Sequence, residues 1–256
     1  MKLYILDFGR IIAPKAWIYT LEGLEKISGA MMGHLIVHPK DGLILYETGI
    51  PPNYEDLWPK VVLETFPIGE YKKENRLDVI LSKIGYKLSD VSAIILGHAH
   101  LDHAGGLEFF RGLDVPIYIH KRELEYAFCS VATKEDFGAY LPHYLDFSFN
   151  WKVIDDDEIE LFDNVFLYHT PGHTPGLMSM RVELKEKNFL MTSDHASTRD
   201  NFEKEVPIGF GMRDFEDWRK STRKLKYIAK KYKANVIPGH DPEVLSTLKT
   251  APEYYE

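Results

Sequence analysis

Short apolar runs recur along this chain, and they constrain its fold more than any other feature. In order they are KLYILDF, GHLIVH, GLILYETG, VSAIILGH, VPIYIH, NVFLYHT, KNFLMTSD and ANVIPGH. Each run has the length of a strand, and most of them end at Gly, Pro, Asp or His, which are residues that interrupt strands. The sequence therefore predicts a protein built on β-sheet.

Three segments between these runs have helical spacing instead. The segment KENRLDVILSKIG reaches a typical helix end at Gly85. The segments KRELEYAFCSVA and RDFEDWRKSTRKLKYIAKKY repeat apolar residues near positions i, i+3 and i+4. No repeat or Pro/Gly/Ser-rich linker divides the 256 residues. The sequence therefore predicts one domain, residues 1–256, of the α+β class, in which helices cover packed sheets.

The charge of the chain restricts its partners. It has 31 Lys and Arg residues against 39 Asp and Glu residues, a net charge of −8. Such a chain repels polyanions, so no nucleic-acid partner is predicted. The basic run from Arg219 to Lys233 is interpreted as a solvated helix face, because Leu225 and Ile228 lie on one apolar stripe.

The apolar runs are also too short for a membrane protein. None approaches the roughly 20 apolar residues that a membrane-spanning helix needs, so a cytoplasmic protein without membrane contact is predicted. The absence of Gln and the abundance of Lys and Glu indicate a thermophilic source.

The segment AIILGHAHLDHAGG concentrates possible metal ligands. His98, His100, Asp102 and His103 all lie within six positions. On an extended chain the first three point to the same side, and a turn after Asp102 can bring His103 onto a second site. Imidazole and carboxylate groups suit zinc or a similar divalent ion, and a single cysteine excludes a cysteine-based zinc cluster.

Three more candidate ligands follow predicted strands in the same way. His173 comes after NVFLY, Asp194 ends the run NFLMTSD, and His240 ends the run NVIPGH. Sheet folds collect their functional residues where strands end. Seven ligands shared between two ions, with one bridging carboxylate, would make a dinuclear site. The G-x-S-x-G motif of serine hydrolases and the P-loop are absent, which leaves metal-assisted hydrolysis as the predicted chemistry.

The pattern HxHxDH, followed by His173, Asp194 and His240, resembles the metallo-β-lactamase superfamily over most of the chain. The resemblance implies a four-layer αββα sandwich with a dinuclear metal site at one edge. It implies seven ligands to two divalent ions: His98, His100 and His173 for one ion, Asp102, His103 and His240 for the other, and Asp194 bridging both. Zinc is the expected metal, with iron, cobalt and manganese as alternatives, and Asp102 and Asp194 are the catalytic candidates.

Within this superfamily, several segments resemble the N-acyl homoserine lactonases. They are HLDHAGG, LPH, TPGHTPG, NFEKEVP and the closing GHD. This resemblance implies a quorum-quenching enzyme that hydrolyses the ester bond of a small-molecule lactone. The alternative is a thioesterase resembling glyoxalase II, or another ester hydrolase of the superfamily. A homodimer is left open.

Two positions depart from the lactonase pattern. Glu47, in YETG, stands where the family has an Asp that supports the metal site, and the longer carboxylate can still form such a hydrogen bond. Ser197 stands where these lactonases usually carry a Tyr that contacts the lactone. Ser197, His143 and His195 are therefore the candidates for substrate contact, and Tyr140 is a further candidate to replace the missing phenol.

Aromatic residues in loop-like segments are candidates either for an acyl-chain groove or for ordinary core packing. They are Trp58, Phe66, Phe109, Phe147 and Phe149.

Overall fold

The computed structural model describes residues 1–136 and 138–256, and its strands form two mixed sheets. The first sheet has the order β4-β1-β2-β3-β5-β6-β7 and the second has the order β12-β11-β10-β9-β8. The strands of the first sheet are β1 (Lys2–Pro14), β2 (Lys26–His38), β3 (Gly42–Tyr46), β4 (Ile68–Glu70), β5 (Val91–Ile95), β6 (Pro116–His120) and β7 (Asn150–Ile154). Those of the second are β8 (Glu158–Phe162), β9 (Val165–His169), β10 (Met178–Glu183), β11 (Asn188–Met191) and β12 (Ala234–Ile237).

The helices lie in the connections between strands and at the two outer faces. They are α1 (Lys15–Ile18), α2 (Tyr54–Leu57), α3 (Lys60–Thr65), α4 (Leu77–Lys83), α5 (Leu101–Ala104), α6 (Lys121–Thr133), α7 (Arg199–Glu203), α8 (Phe215–Tyr232) and α9 (Pro242–Thr247). Short 3₁₀ helices span Lys73–Asn75, Leu88–Asp90, Gly105–Phe110 and Ser193–His195. Among the described residues, none of these helices is long and apolar enough to cross a bilayer.

The alternation of side chains along β1 explains the layers. Tyr4 and Leu6 face a core shared with α4 and α6, whereas Leu3 and Ile5 face a second core between the two sheets. On the far side of the second sheet, Leu225 of α8 packs into a third core. The order is therefore helices, sheet, sheet, helices, and the predicted α+β four-layer αββα sandwich is confirmed.

Each of the eight apolar runs contributes to a strand, but β4, β7, β8 and β10 are not among those runs. The last two helical segments form α6 and α8. The first, KENRLDVILSKIG, is divided into the 3₁₀ helix Lys73–Asn75 and α4, which ends at Lys83, two residues before Gly85. Gly85 has a φ of 88°, a left-handed conformation that stops a helix. The division agrees with the extended backbone of Arg76, which caps both pieces.

Candidate metal centre

The predicted ligands gather at one edge of the sandwich because they follow strands that end there. His98 and His100 lie in the loop after β5, and Asp102 and His103 lie in α5, which continues that loop. The second sheet supplies the other three: His173 follows β9, Asp194 lies in the 3₁₀ helix after β11, and His240 follows β12.

One group of candidate ligands consists of His98, His100, His173 and Asp194. All four are buried, and their ligand atoms lie within 4.8 Å of one another. His173 Nε2 lies 3.0 Å from His100 Nδ1, and Asp194 Oδ2 lies 3.5 Å from His173 Nε2. His98 Nε2 and His100 Nε2 are buried without a hydrogen-bond partner in the described chain. Buried nitrogen atoms of this kind fit a metal ion better than a closed protein core.

A second group consists of Asp102, His103 and His240, whose ligand atoms also lie within 4.8 Å of one another. Asp102 Oδ2 lies 3.6 Å from His103 Nε2 and 3.4 Å from His240 Nε2. The other oxygen of Asp194, Oδ1, lies 3.2 Å from His103 Nε2 and 2.9 Å from His240 Nε2. Asp194 Oδ2 also lies 3.1 Å from His240 Nε2, so the carboxylate of Asp194 lies between the two groups and contacts both, as a bridging ligand must.

The protonation of the cluster differs between the two groups. Burial lowers the pKa of His98 and of His100 well below the ordinary value, and it lowers that of His173 to about 4. Burial also opposes the charged form of His103, yet the carboxylates of Asp194 and Asp102 raise the pKa of His103 well above the ordinary value. The side chains of His98, His100 and His173 are thus neutral imidazoles, the form that binds metals.

Asp194 is ionised in this setting. Burial opposes ionisation, but the neighbouring His240 and His103 hold the pKa of its carboxyl well below the usual range. The neutral imidazoles of His98, His100 and His173 thus lie beside the charged carboxylate of Asp194, a donor set that suits zinc and other borderline divalent ions.

Glu47 supports the cluster from behind, as the sequence predicts. Its Oε1 accepts a hydrogen bond from Ser193 Oγ at 2.9 Å and lies 3.4 Å from His103 Nδ1. Ser193 Oγ in turn lies 3.2 Å from His98 Nδ1. A Cβ at position 97 would collide with Glu47 Oε1, so Gly97 leaves the space that the longer carboxylate occupies.

A cavity of about 100 Å³, open to solvent, lies over the cluster. Its floor contains five of the predicted ligands: His100, Asp102, His173, Asp194 and His240. Its wall is largely apolar and includes Ile11, Trp17, Ile18, Ile27, Phe66 and Ile208. A polar, metal-ligating floor beside an apolar wall suits a ligand with a reactive polar head and a hydrocarbon tail.

Of the predicted substrate contacts, Ser197 lines this cavity but His195 does not. The His195 ring is stacked on Trp218, with ring centroids 5.9 Å apart, and its Nε2 lies 3.0 Å from Thr222 Oγ1. Burial lowers its pKa to about 3. The structure therefore places the His195 side chain away from the cavity, because successive side chains of the 3₁₀ helix Ser193–His195 diverge by a third of a turn.

His143 also lies outside the set of residues that line the cavity. Its ring packs edge-on against Tyr144, with centroids 4.8 Å apart, and its carbonyl oxygen accepts a hydrogen bond from Arg111. Burial lowers its pKa to about 4. Tyr140 is likewise unsuited to contact a lactone, because its buried hydroxyl donates to Glu123 Oε1 at 2.9 Å.

The aromatic candidates divide between the cavity and other places. Phe66 lines the cavity, where Trp17 packs edge-on against it with centroids 5.0 Å apart. Trp58 and Phe149 are buried in the core, Phe109 packs against that core, and Phe147 is 89% exposed. Trp17 and its neighbour Ile18 are not among the residues predicted from the sequence. The apolar residues that continue beyond Pro14, where β1 ends, are the signal that could have found them.

Known proteins place the chain in a family. Residues 34–240 match the family model described as the metallo-beta-lactamase superfamily. The chain is 32% identical to the N-acyl homoserine lactonase AiiA of Bacillus thuringiensis subsp. kurstaki, with 99% of this chain and 98% of AiiA covered. It is also 32% identical to the N-acyl homoserine lactonase AttM of Agrobacterium fabrum, with 100% and 98% covered.

A solved structure agrees with these relatives. It is that of an N-acyl homoserine lactone hydrolase with the product N-hexanoyl-L-homoserine bound at its catalytic metal center. That structure superposes on this one with a TM-score of 0.85 at 31% identity, covering 99% of this chain and 98% of the other. The chain belongs to the metallo-β-lactamase superfamily, in the family of the N-acyl homoserine lactonases.

Proposed function

We propose that this protein is a metal-dependent hydrolase that opens the ring of N-acyl homoserine lactones, and is thus a quorum-quenching lactonase. The observation that carries the proposal is the cavity in which a floor of His and Asp side chains meets an apolar wall. Two solved relatives, with N-hexanoyl-L-homoserine and N-decanoyl-L-homoserine bound, support the same substrate class.

Two divalent ions would be held by the seven predicted ligands: His98, His100 and His173 for one, Asp102, His103 and His240 for the other, and Asp194 for both. Imidazole and carboxylate ligands of this kind suit zinc, with iron, cobalt and manganese as alternatives. Such ions supply polarisation of an ester carbonyl and activation of water near neutral pH.

The residues of the chain have separate tasks in this proposal. Asp194, held ionised by its histidine neighbours, fixes the spacing of the two ligand groups. Asp102 lines the cavity, so its carboxylate can accept the proton that the attacking water loses and pass it to the alcohol oxygen that leaves when the ester C–O bond breaks. Ser197 lines the same cavity, and its hydroxyl is the candidate donor to the carbonyl or amide oxygen of the substrate.

The apolar wall explains why an acylated substrate is favoured. Trp17, Phe66 and Ile27 are positioned to cover a hydrocarbon chain, and each buried methylene contributes about 0.8 kcal/mol. A small lactone without an acyl chain would leave this wall in contact with water.

The test is a substrate panel on the protein reconstituted with Zn²⁺. Opening a lactone at neutral pH releases one proton, which a pH indicator follows, and the panel contains N-hexanoyl-homoserine lactone, an acyl thioester and a phosphodiester. We expect turnover of the lactone and none with His173→Gln. Turnover of the thioester alone would favour the glyoxalase II-like alternative, and inactivity on every lactone would refute the proposal.

Four features stay predictions from the sequence: the single domain of residues 1–256, the cytoplasmic location, the thermophilic source and the homodimer.

A further inference from the structure

Glu123 is a buried carboxylate with no part in the chemistry proposed above. It lies in the first turn of α6 and its side chain is 0% exposed. Burial raises the pKa of its carboxyl, and hydrogen bonds to the carboxylate oppose that rise. A carboxylate in such a place needs many donors, because an unpaired buried charge is costly.

Four donors surround Glu123, two for each oxygen. Oε1 accepts from the backbone N–H of Ala99 at 3.0 Å and from the hydroxyl of Tyr140 at 2.9 Å. Oε2 accepts from the hydroxyl of Thr174 at 2.6 Å and from the backbone N–H of Gly176 at 3.2 Å. Two of these partners are backbone N–H groups, which can only donate, and the two hydroxyls can donate as well, so the site offers the four hydrogen bonds that an ionised carboxylate accepts.

The donors belong to the two loops that carry one group of candidate ligands. Ala99 separates His98 from His100 in the loop after β5, and Thr174 directly follows His173 in the loop after β9. One side chain of α6 therefore connects the backbones on which all three histidines of this group stand.

Two further contacts tighten this connection. The ring of Tyr140 packs edge-on against the ring of His100, with centroids 4.8 Å apart. A Cβ at Gly176 would collide with the backbone nitrogen of Glu123, so the loop after β9 lies directly against α6. The carboxylate thus sits behind the histidines without touching the cavity.

The charge of Glu123 has a second consequence. His98, His100 and His173 would bind an ion as neutral ligands and bring no negative charge. Asp194 is shared with the other group, which has Asp102 of its own. The buried carboxylate of Glu123 is hydrogen-bonded to residues that adjoin these neutral ligands. Its negative charge offsets the charge of a divalent ion in a medium of low dielectric constant.

We propose that Glu123 is a positioning residue for the metal ion of the His98, His100 and His173 group, holding both ligand loops in register and supplying compensating charge. The inference rests on the proposed function only in that two ions are bound. The inference predicts different effects at the two metal positions, because the hydrogen bonds of Glu123 reach the loops that carry His98, His100 and His173.

Glu123→Gln tests this with little change of shape. The amide nitrogen would replace one acceptor and face a backbone N–H that has no other partner. The metal-free protein is titrated with Zn²⁺ against a chromophoric chelator, which yields a dissociation constant for each ion. We expect one of the two ions to bind about 10- to 100-fold more weakly and the other to be unchanged. Glu125→Gln, an exposed position on the same helix, is the matched control and should match the wild type.

Combining Glu123→Gln with a second substitution shows which of the two metal positions is affected. His173→Gln should abolish binding at the affected position, so adding Glu123→Gln to it should leave the remaining ion unchanged. Equal weakening of both ions would overturn the proposal, as would unchanged constants. A lower unfolding temperature of the metal-free protein with unchanged constants would show a role in folding alone and would also overturn it.

If the Glu123→Gln variant does not fold, the Tyr140→Phe variant tests the same proposal. It removes one hydrogen bond to Oε1 and keeps the ring against His100, so we expect a two- to tenfold loss at one position, about the value of one hydrogen bond. Unchanged constants would overturn the proposal. Selective loss of one ion in a protein that opens no lactone would refute the proposed function and leave this inference standing. A protein that opens lactones but in which the substitution does not selectively weaken the binding of one ion would support the proposed function and overturn this inference.

Discussion

Asp194→Asn removes a negative charge from the point at which the two ligand groups meet. Asp194 Oδ1 lies 2.9 Å from His240 Nε2, and Oδ2 lies 3.5 Å from His173 Nε2. Asparagine has the same size but turns one of these acceptors into a donor. We therefore expect this single substitution to weaken the binding of both ions.

The size of the effect follows from the distances. His98 Nε2 lies 4.0 Å from Asp194 Oδ2, so an ion between the two side chains lies within that distance of the carboxylate. Two unit charges about 4 Å apart interact by about 4 kcal/mol at an effective dielectric constant of about 20, and a divalent ion interacts at least that strongly with the carboxylate. Because about 1.4 kcal/mol is a tenfold change in a dissociation constant, each ion should bind at least about a thousandfold more weakly.

Elemental analysis after dialysis against a chelating resin measures this loss. The wild type should keep about two divalent ions per chain, since seven ligands exceed what one tetrahedral ion uses. His173→Gln should keep one ion, Asp194→Asn neither, and Asp156→Asn, at an exposed position, both. Retention of both ions by Asp194→Asn, or loss of one only, would refute the bridging assignment.

Three further predictions follow from other parts of the structure. Ser197→Tyr should raise kcat/KM for N-acyl homoserine lactones about two- to tenfold, because a phenol reaches further into the cavity and adds one hydrogen bond; a loss with intact metal content would mean that the space is filled. Trp17→Ala should raise KM more for an N-decanoyl than for an N-hexanoyl lactone, since longer chains lose more apolar contact; equal changes in KM would contradict the assigned wall. His34, buried with its pKa lowered to about 3, favours the folded state above pH of about 6.5 and loses this contribution as the pH falls toward 3. His34→Leu should therefore move the acid unfolding midpoint of the metal-free protein to lower pH, measured by circular dichroism, and an unchanged midpoint would show that other groups control acid unfolding.

The sequence by itself determined the layers and the place of the metal ligands. Alternate residues of a strand face opposite sides, so Leu3 and Tyr4 enter different cores wherever the strand is placed. The candidate ligands directly follow apolar runs, and the ends of strands in a sheet lie at a common edge. Both are local properties, because they depend on residues within a few positions of one another.

Only the tertiary structure decided which neighbours of those ligands face the cavity. His195 and Ser197 stand two positions apart, yet the turn of a 3₁₀ helix sends His195 against Trp218 of α8 and leaves Ser197 at the cavity. The apolar wall joins Trp17 of α1 to Phe66, residues that no local pattern pairs.

Glu123 shows the same limit most clearly. In the sequence it is one of several charged residues at the start of an amphipathic helix, where a glutamate is ordinarily solvated. Its four donors come from Ala99, Tyr140, Thr174 and Gly176, which lie 17 to 53 positions away along the chain. A carboxylate is stable in a buried place only when such donors converge on it, and their convergence is a property of the packed loops that no local pattern contains.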